Sequence, residues 1–220
     1  MNSRWFLVRH GETPWNDEGR AQGQSDTPLN ARGRAQAALT GTRLMPLEFE
    51  AAYSSDLQRV VSTAEAIMAG RDLPLVKMKS LREKAFGEWE GMTFEEVERN
   101  HPTMFRRLFD EDVDFAPPGG ESDNDLYIRM QSAAKELLAT HADSEGNILV
   151  VGHGGSLRGL ITSLMDMPAE YMWRLRLSNC SVTVINTFRD DDSGASGAAL
   201  ELLNDTSHLG DVINEFAAGG

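Results

Sequence analysis

Two histidines in this chain share a setting that invites chemistry. His10 follows the apolar run Trp5-Phe6-Leu7-Val8 and stands between Arg9 and Gly11. His153 follows Ile148-Leu149-Val150-Val151 and stands in Gly152-His153-Gly154-Gly155. Arg59 lies on the first turns of a predicted helix that opens at Ser55. Guanidinium forks and the free N–H groups of helix starts both suit a phosphate, the first by bidentate geometry and the second by the helix dipole. A histidine at a strand end is by itself usually a polar residue at a core margin, and a single arginine is usually a solvated charge. The joint pattern, two histidines and two arginines at the ends of successive elements, points to the binding and transfer of a small anion.

The elements that must position these residues alternate between strand and helix. Trp5–Val8 reads as a buried strand. Asn30 caps a helix running to about Met45, with Ala35, Ala38, Leu39 and Thr42 on its inner face. Ala51–Tyr53 is a second short strand. Ser55 and Gln58 have capping-box spacing, and the helix after them carries Leu57, Val60, Val61, Ala64, Ile67 and Met68 before a stop at Gly70. Leu75–Met78 is a third strand. Two short helices, broken near His101-Pro102, fill Thr93 to Phe109. The acidic stretch from Asp110 to Asp125, with Pro117-Pro118-Gly119-Gly120, reads as a loop, so a small lid insertion is expected around residues 93–122. A long helix from Ser122 to His141 turns Leu126, Met130, Ala134, Leu137 and Leu138 inward. Ile148–Val151 is the clearest strand, followed by a helix with Leu157, Leu160, Ile161, Leu164 and Met165. Cys180–Phe188 alternates as a strand, and Ala199–Leu203 pairs with it across a polar loop. The tail that ends Ala-Ala-Gly-Gly is expected to fray.

This order predicts an α/β fold, a mostly parallel central sheet with helices on both faces. In such sheets the active site lies beyond the carboxyl ends of the strands, where His10 and His153 fall. The chain of 220 residues is 40% apolar and 25% charged, which is ordinary globular composition. No apolar run is long enough to span a bilayer. A formal charge of −13 disfavours nucleic acid and anionic membranes as partners. A small phosphorylated metabolite is the expected ligand, held in a positive pocket built against the protein's own field. Cys180 is the single cysteine, in keeping with a reducing cytoplasmic location. There is no His-Glu-x-x-His, paired cysteine or Asp-rich ligand run, so neither a metal nor another cofactor is expected.

The motifs resemble a known family. Leu7-Val8-Arg9-His10-Gly11-Glu12-Thr13 with Trp15-Asn16 resembles the signature of the histidine phosphatase superfamily, the phosphoglycerate mutase-like proteins. The resemblance continues in order through Gln22-Gly23, Asp26-Thr27-Pro28-Leu29, Ala31-Arg32-Gly33, Ser54-Ser55-Asp56-Leu57-Gln58-Arg59, Leu81-Arg82-Glu83 and Val150-Val151-Gly152-His153-Gly154-Gly155. It implies a single histidine phosphatase domain over residues 1–220 and a metal-independent phosphatase working through a phosphohistidine. His10 would be the nucleophile, with Arg9, Arg59 and His153 around the phosphoryl oxygens. Asn16, Gln22 and the Gly154 N–H would add phosphate contacts, and Glu83 would be the proton donor. That role needs a carboxylic acid protonated near neutral pH, which burial and the phosphate's charge would favour.

Within the family the rival is a cofactor-dependent mutase. Such enzymes usually carry a longer insertion after the glutamate, with an Arg-His-Tyr-Gly stretch. Here the segment is Phe86-Gly87-Glu88-Trp89-Glu90-Gly91-Met92, which resembles the phosphatase branch, although Arg106-Arg107 could grip a carboxylate. An inactive phosphometabolite-binding protein is the third reading, opposed by competent residues at every matched position. His101, His141 and His208 are expected to be structural, Trp89 and Trp173 to lie in the core. The Val182–Phe188 strand, if at a sheet edge, would pair with a second copy to make a homodimer.

Overall fold

In the computed structural model, which describes residues 2–109, 112–189 and 196–212, the apolar runs become adjacent strands. Strand β1 (Asn2–Arg9) precedes the short helix α1 (Pro14–Asp17) and helix α2 (Ala31–Leu44). Then come β2 (Phe49–Ser54), α3 (Gln58–Met68) and β3 (Leu75–Lys77). Helices α4 (Phe94–Asn100), α5 (Pro102–Phe109) and α6 (Asp123–Thr140) lead to β4 (Asn147–Gly152) and α7 (Gly154–Leu164). Strands β5 (Val182–Arg189) and β6 (Ser196–Asp205) complete the sheet. Its order is β3-β2-β4-β1-β5-β6; β1 to β4 run parallel, and β5 and β6 form an antiparallel flank. Among the described residues no helix is long and apolar enough to cross a membrane.

The two-residue period of the central strands divides their side chains between two cores. Trp5, Leu7, Ile148 and Val150 pack with Leu126, Met130 and Leu137 of α6 and Leu157, Leu160 and Ile161 of α7. Phe6, Val8, Leu149 and Val151 point the other way, onto Val60, Ala64 and Ile67 of α3 and Leu44 of α2. That division is why the strands are apolar throughout and why both faces carry helices.

Several local expectations give way to packing. On α2 the buried face is Gly33, Gln36, Ala37, Thr40, Gly41 and Leu44, while Ala35, Ala38 and Thr42 are exposed and Leu39 is half-buried. The reason is backbone proximity: a side chain on Gly41 would stand 2.6 Å from the Ala66 carbonyl, and one on Gly33 would stand 2.0 Å from that of Glu12. Only small residues let α2 lie that close. Leu138 is exposed on α6, whose capping box is Ser122 with Asp125. Strand β5 is not an edge: its two sides are taken by β1 and β6, so it offers no free ladder to a second copy.

The insertion carries its own small core, Trp89 with Val97 and Phe115, and His101 stacks on the Trp89 indole. Residues 112–121 are tied down, with Glu121 N–H on the Ala85 carbonyl and Glu88 N–H on that of Pro118. Asp110 and Glu111 of the acidic loop lie outside the described residues, as does the tail from residue 213. His141 bonds the Tyr53 hydroxyl, and His208 bonds Thr40 and Arg43, so both have structural partners.

Candidate active site

The last register pair of β1 and β4 is Arg9 with Gly152, and each strand delivers a histidine at the next position. The His10 and His153 rings lie with centroids 5.2 Å apart at 68°. Beside them β2 ends level with β4, Ser54 opposite Val151, and its loop leads into α3 and Arg59. Both histidines and Arg59 are buried.

His10 Nδ1 lies 2.7 Å from the Gly11 carbonyl oxygen. A carbonyl only accepts, so Nδ1 carries the proton and Nε2 the lone pair. Burial, and then the charges of Arg59 and Arg9, hold His10 well below the ordinary imidazole range, so the ring is neutral at neutral pH. His153 is lowered by burial first, then Arg59 and His10. Its Nε2 pairs with the Ser55 hydroxyl at 2.9 Å. Ser55 therefore does not cap α3. Leu57 takes the N-cap position without a side-chain bond, and the Asp26 carboxylate accepts the Gln58 N–H instead.

The arginines are braced from behind. Arg59 donates Nη1 to the Ser25 carbonyl and Nη2 to that of Gly23, and burial lowers it to about 10. Arg9 donates Nη1 to the Leu177 carbonyl. In these side chains three buried atoms have no partner: Arg9 Nε, Arg59 Nε and His153 Nδ1. Unsatisfied buried groups carry a desolvation cost that a bound acceptor removes. An anion with several acceptor oxygens fits the two guanidinium groups.

The polar residues at the rim are oriented in the same sense. Gln22 Oε1 accepts from the hydroxyls of Thr13 and Thr27, leaving its amide nitrogen for another acceptor. Asn16 Oδ1 accepts from Thr13 N–H and Asn179 Nδ2. Gly154 opens α7, and a Cβ there would stand 3.5 Å from Arg9 Nε, so the helix start and the guanidinium face one space. Glu83 reaches α7 from the other side: its carboxylate accepts the N–H groups of Gly155, Ser156 and Lys84. All eight residues singled out in the sequence thus gather around the ends of β1, β2 and β4 or border them.

Other contributors escaped the sequence reading. Asn179 is buried and donates to the His10 carbonyl, and Thr63 accepts the Gly11 N–H. Glu90 accepts from Gln24 N–H, Ser25 N–H, the Ser25 hydroxyl and Phe86 N–H, which folds the 22–25 loop over Arg59. Arg158 comes beside Arg9; its place one turn after Gly154 was a usable signal. Glu12, inside the motif, is structural: its carboxylate holds Asn30 and Arg32. Trp173, expected in the core, is 45% exposed because Arg158 and Asp123 hold it at the surface.

The family model described as histidine phosphatase superfamily (branch 1) matches residues 5–201. A relative from Salmonella choleraesuis (strain SC-B67), described as probable phosphoglycerate mutase GpmB, is 37% identical over 204 residues, covering 93% of this chain and 94% of its own. Among solved structures, Bacillus stearothermophilus YhfR superposes with TM-score 0.82 at 34% identity, covering 94% of this chain and 99% of its own. The mycobacterial glucosyl-3-phosphoglycerate phosphatase does so with TM-score 0.83 at 30% identity, covering 94% and 100%.

Proposed function

Since the chain belongs to the histidine phosphatase superfamily (branch 1), we propose that it is a metal-independent phosphomonoesterase with His10 as its nucleophile. The observation that carries this reading is the neutral His10 ring, its Nδ1 committed to Gly11, among buried donors that lack acceptors.

His10 Nε2 attacks phosphorus in line with the ester oxygen. The N–P bond forms as the P–O bond to the alcohol breaks. Arg9, Arg59, His153 and the Gly154 N–H stabilise the charge on the equatorial oxygens, with the Asn16 and Gln22 amides at the rim. Glu83 gives a proton to the departing alkoxide. It then takes a proton from the water that attacks the phosphohistidine, releasing phosphate and restoring neutral His10. The substrate is a small phosphorylated metabolite. A cytoplasmic location belongs to the same reading, in keeping with a single free cysteine, Cys180.

A mutase is the second reading, favoured by the description of the 37%-identical relative. The test is phosphate release from a panel of phosphomonoesters in EDTA, wild type against His10→Ala, with 3-phosphoglycerate plus 2,3-bisphosphoglycerate watched for isomerisation. Hydrolysis that survives EDTA and vanishes in His10→Ala is the expected result. Isomerisation outrunning release makes the protein a mutase. Full activity in His10→Ala overturns the nucleophile.

A further inference from the structure

Arg158 has no part in the scheme above, yet it is built into the same space. Its Nε donates to the Leu175 carbonyl at 2.7 Å, just as Arg9 Nη1 uses the Leu177 carbonyl at 2.6 Å, so one segment holds both guanidiniums. Over Gly154 the two converge: a Cβ at that glycine would stand 3.6 Å from Arg158 Nη1 and 3.5 Å from Arg9 Nε. Burial and the Arg9 charge, with Arg176 adding to it, lower Arg158 to about 10, while Glu83 and Asp123 pull the other way.

The guanidinium does not drift there on a free side chain. It lies over the Trp173 ring, 4.8 Å from the centroid. Trp173 Nε1 donates to Asp123 Oδ2 at 2.7 Å, and Asp123 Oδ1 receives the Lys84 ammonium at 2.6 Å. Lys84, fully buried, is the neighbour of Glu83 in the chain. The nearby Asp123 carboxylate is therefore spent on Lys84 and Trp173. Among the described residues no carboxylate pairs with Arg158 itself.

Two mutually repelling guanidiniums held rigidly together make an anion receptor. The transferred phosphoryl group already has Arg9, Arg59, His153 and Gly154. Arg158 Nη1 stands over Gly154, and the next residue, Gly155, donates its N–H to Glu83, the proposed donor to the leaving oxygen, so the guanidinium lies between the phosphoryl cradle and the side on which the alcohol departs. We propose that Arg158, braced on Trp173, grips a second anionic group (a carboxylate or another phosphate) on the alcohol moiety, and so selects doubly anionic phosphomonoesters. This rests on the phosphatase reading.

The test compares matched substrates. 3-Phosphoglycerate is set against glycerol 3-phosphate for a carboxylate, and fructose 1,6-bisphosphate against fructose 6-phosphate for a phosphate. Wild type is expected to prefer the doubly anionic member of at least one pair, and the preferred pair identifies the group. In Arg158→Met the kcat/KM ratio of that pair should fall on the order of 10- to 100-fold, chiefly through KM, with Arg158→Lys restoring part of it. A wild type without preference, or a ratio unchanged in Arg158→Met, overturns the proposal. If wild type hydrolyses none of the four and nothing else in the phosphomonoester panel, the phosphatase reading fails instead. Calorimetric affinities of the same pairs for wild type and Arg158→Met then decide the Arg158 grip alone, by the same ratio.

Discussion

His10 and His153 stand one residue beyond the register pair Arg9–Gly152, at the ends of neighbouring parallel strands, with ring centroids 5.2 Å apart. The register makes them partners. Each ring is surrounded by the same guanidiniums, so a proton on either would add a third or fourth positive charge to a buried space. Neutrality of both imidazoles follows, and with it the nucleophilic form of His10.

Stability should therefore depend on pH in a defined sense. Both histidines lie well below the ordinary range in the fold, through burial first and then Arg59. The unfolded chain takes up those protons near pH ~6.5 and the folded chain does not. Stability is complete above about pH 6.5 and falls as pH drops below it toward the folded values. Urea midpoints across that range should fall in wild type and fall less in a His10→Asn/His153→Asn double variant. An equal fall in both would assign the effect to other groups.

The start of α3 gives a second prediction. Since Asp26 and not Ser55 satisfies the Gln58 N–H, Asp26→Ala should cost about 1 kcal/mol, as loss of an N-cap does. Gln58→Ala should stay within about 0.5 kcal/mol. Denaturant titrations that reverse this order would restore the capping box.

Gly23 has φ +53, and a Cβ there would stand 2.0 Å from Glu90 Oε1. Its carbonyl also anchors Arg59. Gly23→Ala should cost at least about 1–2 kcal/mol from the left-handed backbone alone. It should also lower kcat/KM by roughly tenfold or more, because a misplaced phosphate ligand is expensive. A variant with normal turnover would show that the 22–25 loop does not position the site.

Lys84 and Asp123 form a buried ion pair, 1% and 10% exposed at the side chain. Removing one partner leaves an uncompensated charge, so Asp123→Ala should destabilise by about 3–5 kcal/mol. The double variant Asp123→Ala/Lys84→Met should recover much of that loss in a thermal or urea melt. Additive losses would mean that the two charges do not interact.

The sequence by itself determined which residues end the strands and start the helices. Apolar runs of period two and glycine-rich strand ends are local features, legible without knowledge of neighbours, and Arg9, His10, Gly11, Gly152 and His153 all sit in them. The α/β order, the cap at Asn30 and the start of the long helix at Ser122 are local in the same way. What a side chain meets across the fold is not local. Ser55 meets His153 from 98 positions away, Asn179 reaches the His10 carbonyl from 169, and Gln36 turns inward on α2 to take the Glu12 N–H. A helix or strand chooses its buried face, and its flank in the sheet, by the surface that covers it. That is why Ala35 and Leu138 came out exposed and β5 internal. The placement of Arg158 between Trp173 and Arg9 belongs to the same class, set by strand register and by the carbonyls of residues 175 and 177.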